Sequence, residues 1–254
     1  MYQIHKSLGQ HFLQDENISR KIIQALGLAP GDTLLEVGPG LGALTKYVVA
    51  MPELDYYAVE IDREKVDYLQ KQYPVLKEHL WHGDILKVSL PFARPFKLVG
   101  NFPYQITSGI LFRVMEWKAY LQLVVGMVQK EVALRISSEP HQKAYGLMSV
   151  LLQTWFRIEY LFDVSPGCFF PPPRVQSAVI RLMPKANRPE IVDEKQYIRL
   201  VKMAFQQRRK MLRNALKNVF PVEMLQQPIF GQRAEELSWE DYLQLYQWYR
   251  QVNS

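Results

Sequence analysis

Short apolar runs alternate with stretches in which apolar residues recur at helical spacing, and this beat carries through most of the chain. Ile18, Ile22, Ile23 and Leu26 share one helical face over residues 17–26, with Asp15 or Asn17 available as a cap. After a turn at Ala29-Pro30-Gly31-Asp32, Thr33–Val37 reads as a short buried strand that runs into Gly38-Pro39-Gly40-Leu41-Gly42, and a helix is predicted from Ala43. The unit repeats with a strand over 55–61, Asp62 as a cap and a helix through Gln70. Further strand patterns lie at 80–85, 96–99, 121–128, 155–162 and 177–183, with helical patterns between them, one of them around Tyr145–Met148. Strands alternating with helices predict an α/β fold with a seven-stranded, mostly parallel sheet covered by helices on both faces. The link between the last two strands, Pro166–Arg174, carries too many prolines for regular structure, and its shortness predicts antiparallel pairing there.

Pro184–Pro189 reads as a linker, and the pattern beyond it is helical. Leu200, Val201, Ala204, Phe205, Leu212, Ala215, Leu216 and Val219 predict one helix over 196–219, and Leu243, Leu245, Tyr246 and Tyr249 a closing helix over 239–252. Two domains follow, a sheet domain over 1–184 and a small helical one over 190–254.

Composition narrows the class. A hydrophobic content of 48% with 22% charged residues is that of a globular chain, and a single cysteine, Cys168, excludes an internal disulfide framework or a cysteine-cluster metal site. Residues 1–10 lack the apolar core of a signal peptide and no stretch is long enough to span a bilayer, so a soluble cytoplasmic protein is expected. The net charge of +6 is unevenly spread: residues 195–217 hold eight Lys or Arg and no Asp or Glu. On the predicted helix Lys202, Gln206, Arg209, Lys210, Arg213 and Lys217 share the face opposite the apolar stripe, which reads as a phosphate-binding surface or as a solvated face.

Candidate chemistry sits at the strand ends. Gly38 and Gly40 let the backbone approach a ligand closely, and Glu60, at the next strand end, suits two ribose hydroxyls. A dinucleotide enzyme is one reading, but the spacing is Gly-x-Gly-x-Gly, and Glu36 just upstream serves a pyrophosphate poorly. A cofactor with an ammonium and a sulfonium suits that acidic edge, which points to S-adenosylmethionine, with Asp84 accepting from its adenine amino group and Ile85 as apolar cover. Structural readings stand beside these: Glu36 as a solvated carboxylate, Glu60 and Asp62 as helix caps, Asp84 as a turn former. Asn101-Phe102-Pro103-Tyr104 closes the fourth strand. It is either a simple turn or a tip that offers acceptors beside an aromatic ring.

Gly9-Gln10-His11-Phe12-Leu13, the Glu36–Gly42 loop, Asn101–Tyr104, Phe169–Val179 and Phe205–Asn214 come in an order that resembles the KsgA-type small-subunit ribosomal RNA adenine dimethyltransferases across nearly the whole chain. The resemblance implies a Rossmann-like, class I S-adenosylmethionine-dependent methyltransferase domain with a helical tail. It implies dimethylation of N6 on two adjacent adenosines near the 3′ end of small-subunit rRNA, in the assembling 30S particle, by a monomer. His11, Leu13, Gly38, Gly40, Glu60, Asp84 and Ile85 would bind the cofactor. Asn101 would touch both cofactor and target base, with the carbonyl of Phe102 or Pro103 as the second acceptor and Tyr104 and Phe169 facing the target ring. Lys202, Arg208, Arg209, Lys210 and Arg213 would bind RNA. His11 stands where the family often has asparagine, and Phe102 where it has leucine. A large-subunit dimethyltransferase of the macrolide-resistance type, a non-catalytic assembly or transcription factor on the same fold, and an NAD-dependent oxidoreductase are the competing readings.

Overall fold

The computed structural model describes residues 11–252, so Gly9 and Gln10 of the first motif lie outside the described residues. In chain order the elements are β1 (Phe12–Leu13), α1 (Glu16–Ala25), β2 (Thr33–Val37), α2 (Thr45–Val48), β3 (Asp55–Glu60), α3 (Arg63–Gln72), β4 (Leu80–His82), β5 (Phe96–Asn101), α4 (Thr107–Glu116), β6 (Leu121–Gln129), α5 (Lys130–Ser137), α6 (Leu147–Trp155), β7 (Phe156–Val164), β8 (Phe169–Phe170), β9 (Ser177–Pro184), α7 (Glu194–Gln206), α8 (Leu212–Ala215) and α9 (Trp239–Val252). Asp15 caps α1 and Asp62 caps α3 through side-chain carboxylates that accept backbone N–H groups.

Seven strands form one sheet in the order β4-β3-β2-β5-β6-β9-β7. The pairs β2–β3, β2–β5, β3–β4 and β5–β6 are parallel, and β6–β9 is antiparallel. All five residues of β2 are buried, as expected for a central strand with both faces covered. The chain winds outward from β2 through β3 to β4, then returns to lay β5 on the other side of β2. A doubly wound sheet opens a crevice at such a reversal, beyond the carboxyl ends of its strands.

The chain divides into two compact units, one running up to Ala133 and including Glu159–Pro184, the other made of Leu134–Ile158 and Lys185–Ser254. Leu134–Ile158 thus leaves the stretch that the sequence assigns to the sheet domain. Burial explains it: the Thr154 and Tyr197 hydroxyls hydrogen-bond at 2.8 Å, and the Tyr197 ring meets those of Trp155 and Tyr246 edge-on.

Four sequence expectations are corrected locally. Trp155 ends α6 and the strand starts at Phe156, while the third strand stops at His82, so that Asp84 follows a bend. The proline-rich link is not wholly irregular: Phe169 and Phe170 form β8, antiparallel to β1. The single helix over 196–219 is absent. No apolar residue stands between Phe205 and Met211 to bury, so α7 ends at Gln206 and the chain turns through 207–210. It then pairs Met211 with Arg233, with Leu212 N–H donating to the Gln232 carbonyl at 2.8 Å.

Candidate active site

The carboxyl ends of β2, β3 and β5 and the bend after β4 converge on a cavity. Of the residues singled out from sequence, His11, Leu13, Gly38, Gly40, Glu60, Asp84, Ile85, Asn101, Phe102, Pro103 and Tyr104 line it. Phe169 does not. It is buried in the core with Leu13, and the ring that this segment presents to solvent is Phe170.

The loop after β2 carries left-handed backbone at Gly38 and Gly40, with φ of 65° and 59°, a region costly for any side chain with a Cβ. It is fastened from β3: Gly38 N–H donates to the Val59 carbonyl at 2.9 Å and Gly40 N–H to Glu60 Oε2 at 3.0 Å. Glu60 Oε1 accepts the Asp62 N–H at 3.0 Å. Burial raises the Glu60 carboxyl above its ordinary range, against the pull of those two N–H groups. Glu60 is therefore a strap for the loop and not a helix cap; each of its oxygens keeps a second lone pair for a ligand hydroxyl. Asp62 is the cap, paired with the buried Lys65.

Glu36 is not solvated. It is 2% exposed, accepts from Thr45 Oγ1 at 3.0 Å and from the Tyr56 hydroxyl, and burial pushes its carboxyl up to about 7, with Glu60 adding to the rise and the two hydroxyls opposing it. Asp84 does form a turn, since its Oδ1 accepts the Leu86 N–H at 2.9 Å, and it lines the cavity as well.

The tip at Asn101–Tyr104 is rigidly built. Gly100 and Gly126 stand opposite each other on β5 and β6, and the Phe102 ring folds back over the pair. A Cβ at Gly126 would fall 2.4 Å from Phe102 Cε2, and one at Gly100 2.6 Å from the Val37 carbonyl oxygen and 2.9 Å from Phe102 Cε1. Asn101 Nδ2 donates to the His11 carbonyl at 2.9 Å. Because a carbonyl can only accept, this bond sets the amide orientation and leaves Oδ1 as the acceptor end. The Pro103 carbonyl already takes the Ile106 N–H at 3.1 Å and the Thr107 hydroxyl at 3.0 Å, so of the two main-chain acceptors expected at the tip, Phe102 is the one that keeps capacity. Tyr104 OH and Ser177 Oγ lie 2.6 Å apart, and burial raises the phenol above its usual range. His11 Nδ1 donates to the Pro171 carbonyl at 2.8 Å, and its ring centroid is 5.6 Å from that of Tyr104.

Sequence reasoning did not find Thr45 and Tyr56 behind Glu36, Ser177 behind Tyr104, or Phe12 on the cavity wall. Phe12 and Ser177 stand inside motifs already noted and Thr45 just after one; Tyr56 carries no local signal.

The candidate RNA-binding residues lie in the second unit. Lys202, Arg209, Lys210 and Arg213 are exposed but belong to α7, a turn and α8, so they do not form one helical face. Arg208 is committed internally, paired with Glu235 and donating to the Lys143 carbonyl at 2.8 Å. Among the described residues no helix is long and apolar enough to cross a membrane, and no cluster of three His, Cys, Asp or Glu could hold a metal.

A doubly wound sheet whose glycine loop is strapped by the second strand's carboxylate, with an amide at the tip of the fourth, defines a class I methyltransferase. Two solved structures share this fold: a dimethyladenosine transferase from Plasmodium falciparum, with a TM-score of 0.83, 23% identity and coverage of 95% of this chain and 98% of its own, and the 23S rRNA methyltransferase ErmE, with a TM-score of 0.72, 24% identity and coverage of 94% and 99%. The chain belongs to the ribosomal RNA adenine dimethylase family, whose model matches residues 1–251. Its relatives include proteins named ribosomal RNA small subunit methyltransferase A from Cytophaga hutchinsonii, 46% identical over 94% of this chain and 95% of that protein, and from Bacteroides thetaiotaomicron, 42% identical over 94% and 91%.

Proposed function

We propose that this protein uses S-adenosylmethionine to dimethylate N6 of two adjacent adenosines in the 3′-terminal hairpin loop of small-subunit rRNA, within the assembling subunit. The observation that carries the reading is the Asn101 amide, held by the His11 carbonyl with its oxygen as the acceptor end. The substrate follows the names of relatives at 42 to 46% identity.

When bound, the cofactor supplies a methyl group on a positively charged sulfur. Glu60 would hold the ribose hydroxyls, Asp84 with Ile85 the adenine, and the Gly38–Gly40 backbone the methionine part, with His11 and Leu13 as further contacts from the same cavity wall. Adenine N6 is a weak nucleophile because its lone pair is delocalised into the ring. Asn101 Oδ1 and the Phe102 carbonyl accept its two hydrogens, which localises the lone pair and aims it. The surplus proton leaves the alkylated amine after transfer, so no strong base is needed. Tyr104, fixed by Ser177, covers the target ring, and stacking of about 1 to 3 kcal/mol offsets part of the few kcal/mol needed to turn a base out of its stack. Lys202, Arg209, Lys210 and Arg213 bind phosphates, whereas Arg208 holds its own unit together.

The test is transfer of labelled methyl to purified undermethylated small subunits, with the modified nucleosides identified. N6,N6-dimethyladenosine at two neighbouring positions is expected; small subunits left unlabelled while large subunits supplied in parallel are methylated would refute the substrate.

A further inference from the structure

Residues 169–177 form a strap anchored to the cavity wall at both ends. At its start β8 pairs with β1, Phe169 opposite Leu13 and Phe170 opposite Phe12. Directly opposed residues of an antiparallel pair share a face. Leu13 and Phe169 are both in the core, so Phe12 and Phe170 share the other face, where the Phe12 ring lines the cavity beside Gly40. One residue on, the Pro171 carbonyl receives the His11 Nδ1–H. At the far end Ser177 bonds Tyr104, and Lys130 holds Gln176 through its N–H at 2.9 Å and its Nζ at 3.1 Å.

At the first anchor the strap turns an aromatic ring to water. Phe170 is 54% exposed, on a backbone that the pairing holds still, and Arg174 is exposed three prolines further on. Turning a base out of an RNA loop also strips its neighbour of a stacking partner, and a planar ring at the rim restores that contact. An arginine close by in sequence suits the phosphate of the same nucleotide.

We propose that Phe170 is the platform on which the unpaired base flanking the target adenosine stacks, with Arg174 on the adjoining phosphate. This rests on the functional reading above and makes Phe170 a positioning residue, remote from the reacting atoms.

The full-length protein is assayed on undermethylated small subunits. Phe170→Ala is expected to raise the KM for subunits roughly tenfold, in line with the loss of one stacked base, with kcat, cofactor affinity and melting temperature unchanged. Phe170→Tyr should restore the KM and Phe170→Leu should not, because a planar ring, and not apolar area alone, is required. An unchanged KM in Phe170→Ala overturns the proposal, as does a loss shared equally with cofactor affinity, which marks a structural role. Rescue by leucine overturns it too. If the wild-type protein leaves small subunits unmethylated, the functional reading fails and the inference falls with it; an active wild type with an indifferent Phe170→Ala sinks the inference alone.

Discussion

Gly126→Ala offers a severe test of how the tip is built, because it adds one methyl group at a residue that does not itself line the cavity. Its Cβ would lie 2.4 Å from Phe102 Cε2, 2.9 Å from Cζ and 3.0 Å from Cδ2, where ordinary contacts begin at 3.4 Å. The ring must therefore move by about 1 Å, and it has nowhere to go: Phe102 is fully buried and its other edge is already against Gly100. Overpacking of this kind costs about 1 to 3 kcal/mol. Asn101 and Pro103 flank Phe102 in the chain, so the same displacement shifts the amide. A misplacement of about 1 Å is worth roughly a hundredfold in rate. We expect kcat for methyl transfer to fall by about that factor, with a lower melting temperature and little change in subunit binding. Phe102→Leu removes Cε and Cζ, the atoms that clash worst, and should recover most of the lost rate in the double variant, a coupling of about 0.5 to 3 kcal/mol. Full kcat in Gly126→Ala, or no rescue by Phe102→Leu, would refute the account.

Asn101→Ala should abolish methyl transfer, by about a hundredfold or more, while subunits still bind; full retained activity in the labelled-methyl assay removes Asn101 from the mechanism. Glu36 carries a carboxyl raised to about 7 from 4.5, so the stability it contributes is complete below the lower value and is lost as pH rises through the higher one. Glu36→Gln should therefore flatten the decline of melting temperature across that window in the cofactor-free protein, and an identical decline in both would count against the assignment. Arg208→Ala should lower the melting temperature by removing the bonds to Glu235 and Lys143, with the salt dependence of subunit binding unaltered. Arg209→Ala and Lys210→Ala should do the reverse, each reducing the salt slope by about 0.7 to 0.9; a slope that stays put means that these side chains do not meet phosphate.

The cavity was legible because strand ends and glycine turns are local events. Thr33–Val37 reads as a buried strand from its own residues, and the loop after it follows from Gly38 and Gly40, which tolerate a backbone that other residues resist. Asp62 announces the helix that it caps, and of the two candidates Asp15 and Asn17 it is Asp15 that caps the first. The basic segment misled for the same local reason: Phe205 and Leu212 are seven residues apart, which keeps helical phase across a break. Only the pairing of Met211 with Arg233 shows that the chain turns there.

By itself, then, the sequence determined the alternation of strands and helices, the seven strands of the sheet, and the set of acidic and amide groups at their carboxyl ends, because periodicity, capping and glycine conformation act over a few neighbouring residues. The tertiary structure decided what those groups are free to do. Asn101 is oriented by the His11 carbonyl, Tyr104 by Ser177, Glu36 by Thr45 and Tyr56, and Arg208 is taken by Glu235. Phe169 went to the core and Phe170 to water, since β8 pairs with β1 across more than 150 residues. Each of these is a choice between side chains of equal local merit, settled by which partner the folded chain brings within hydrogen-bonding or packing distance.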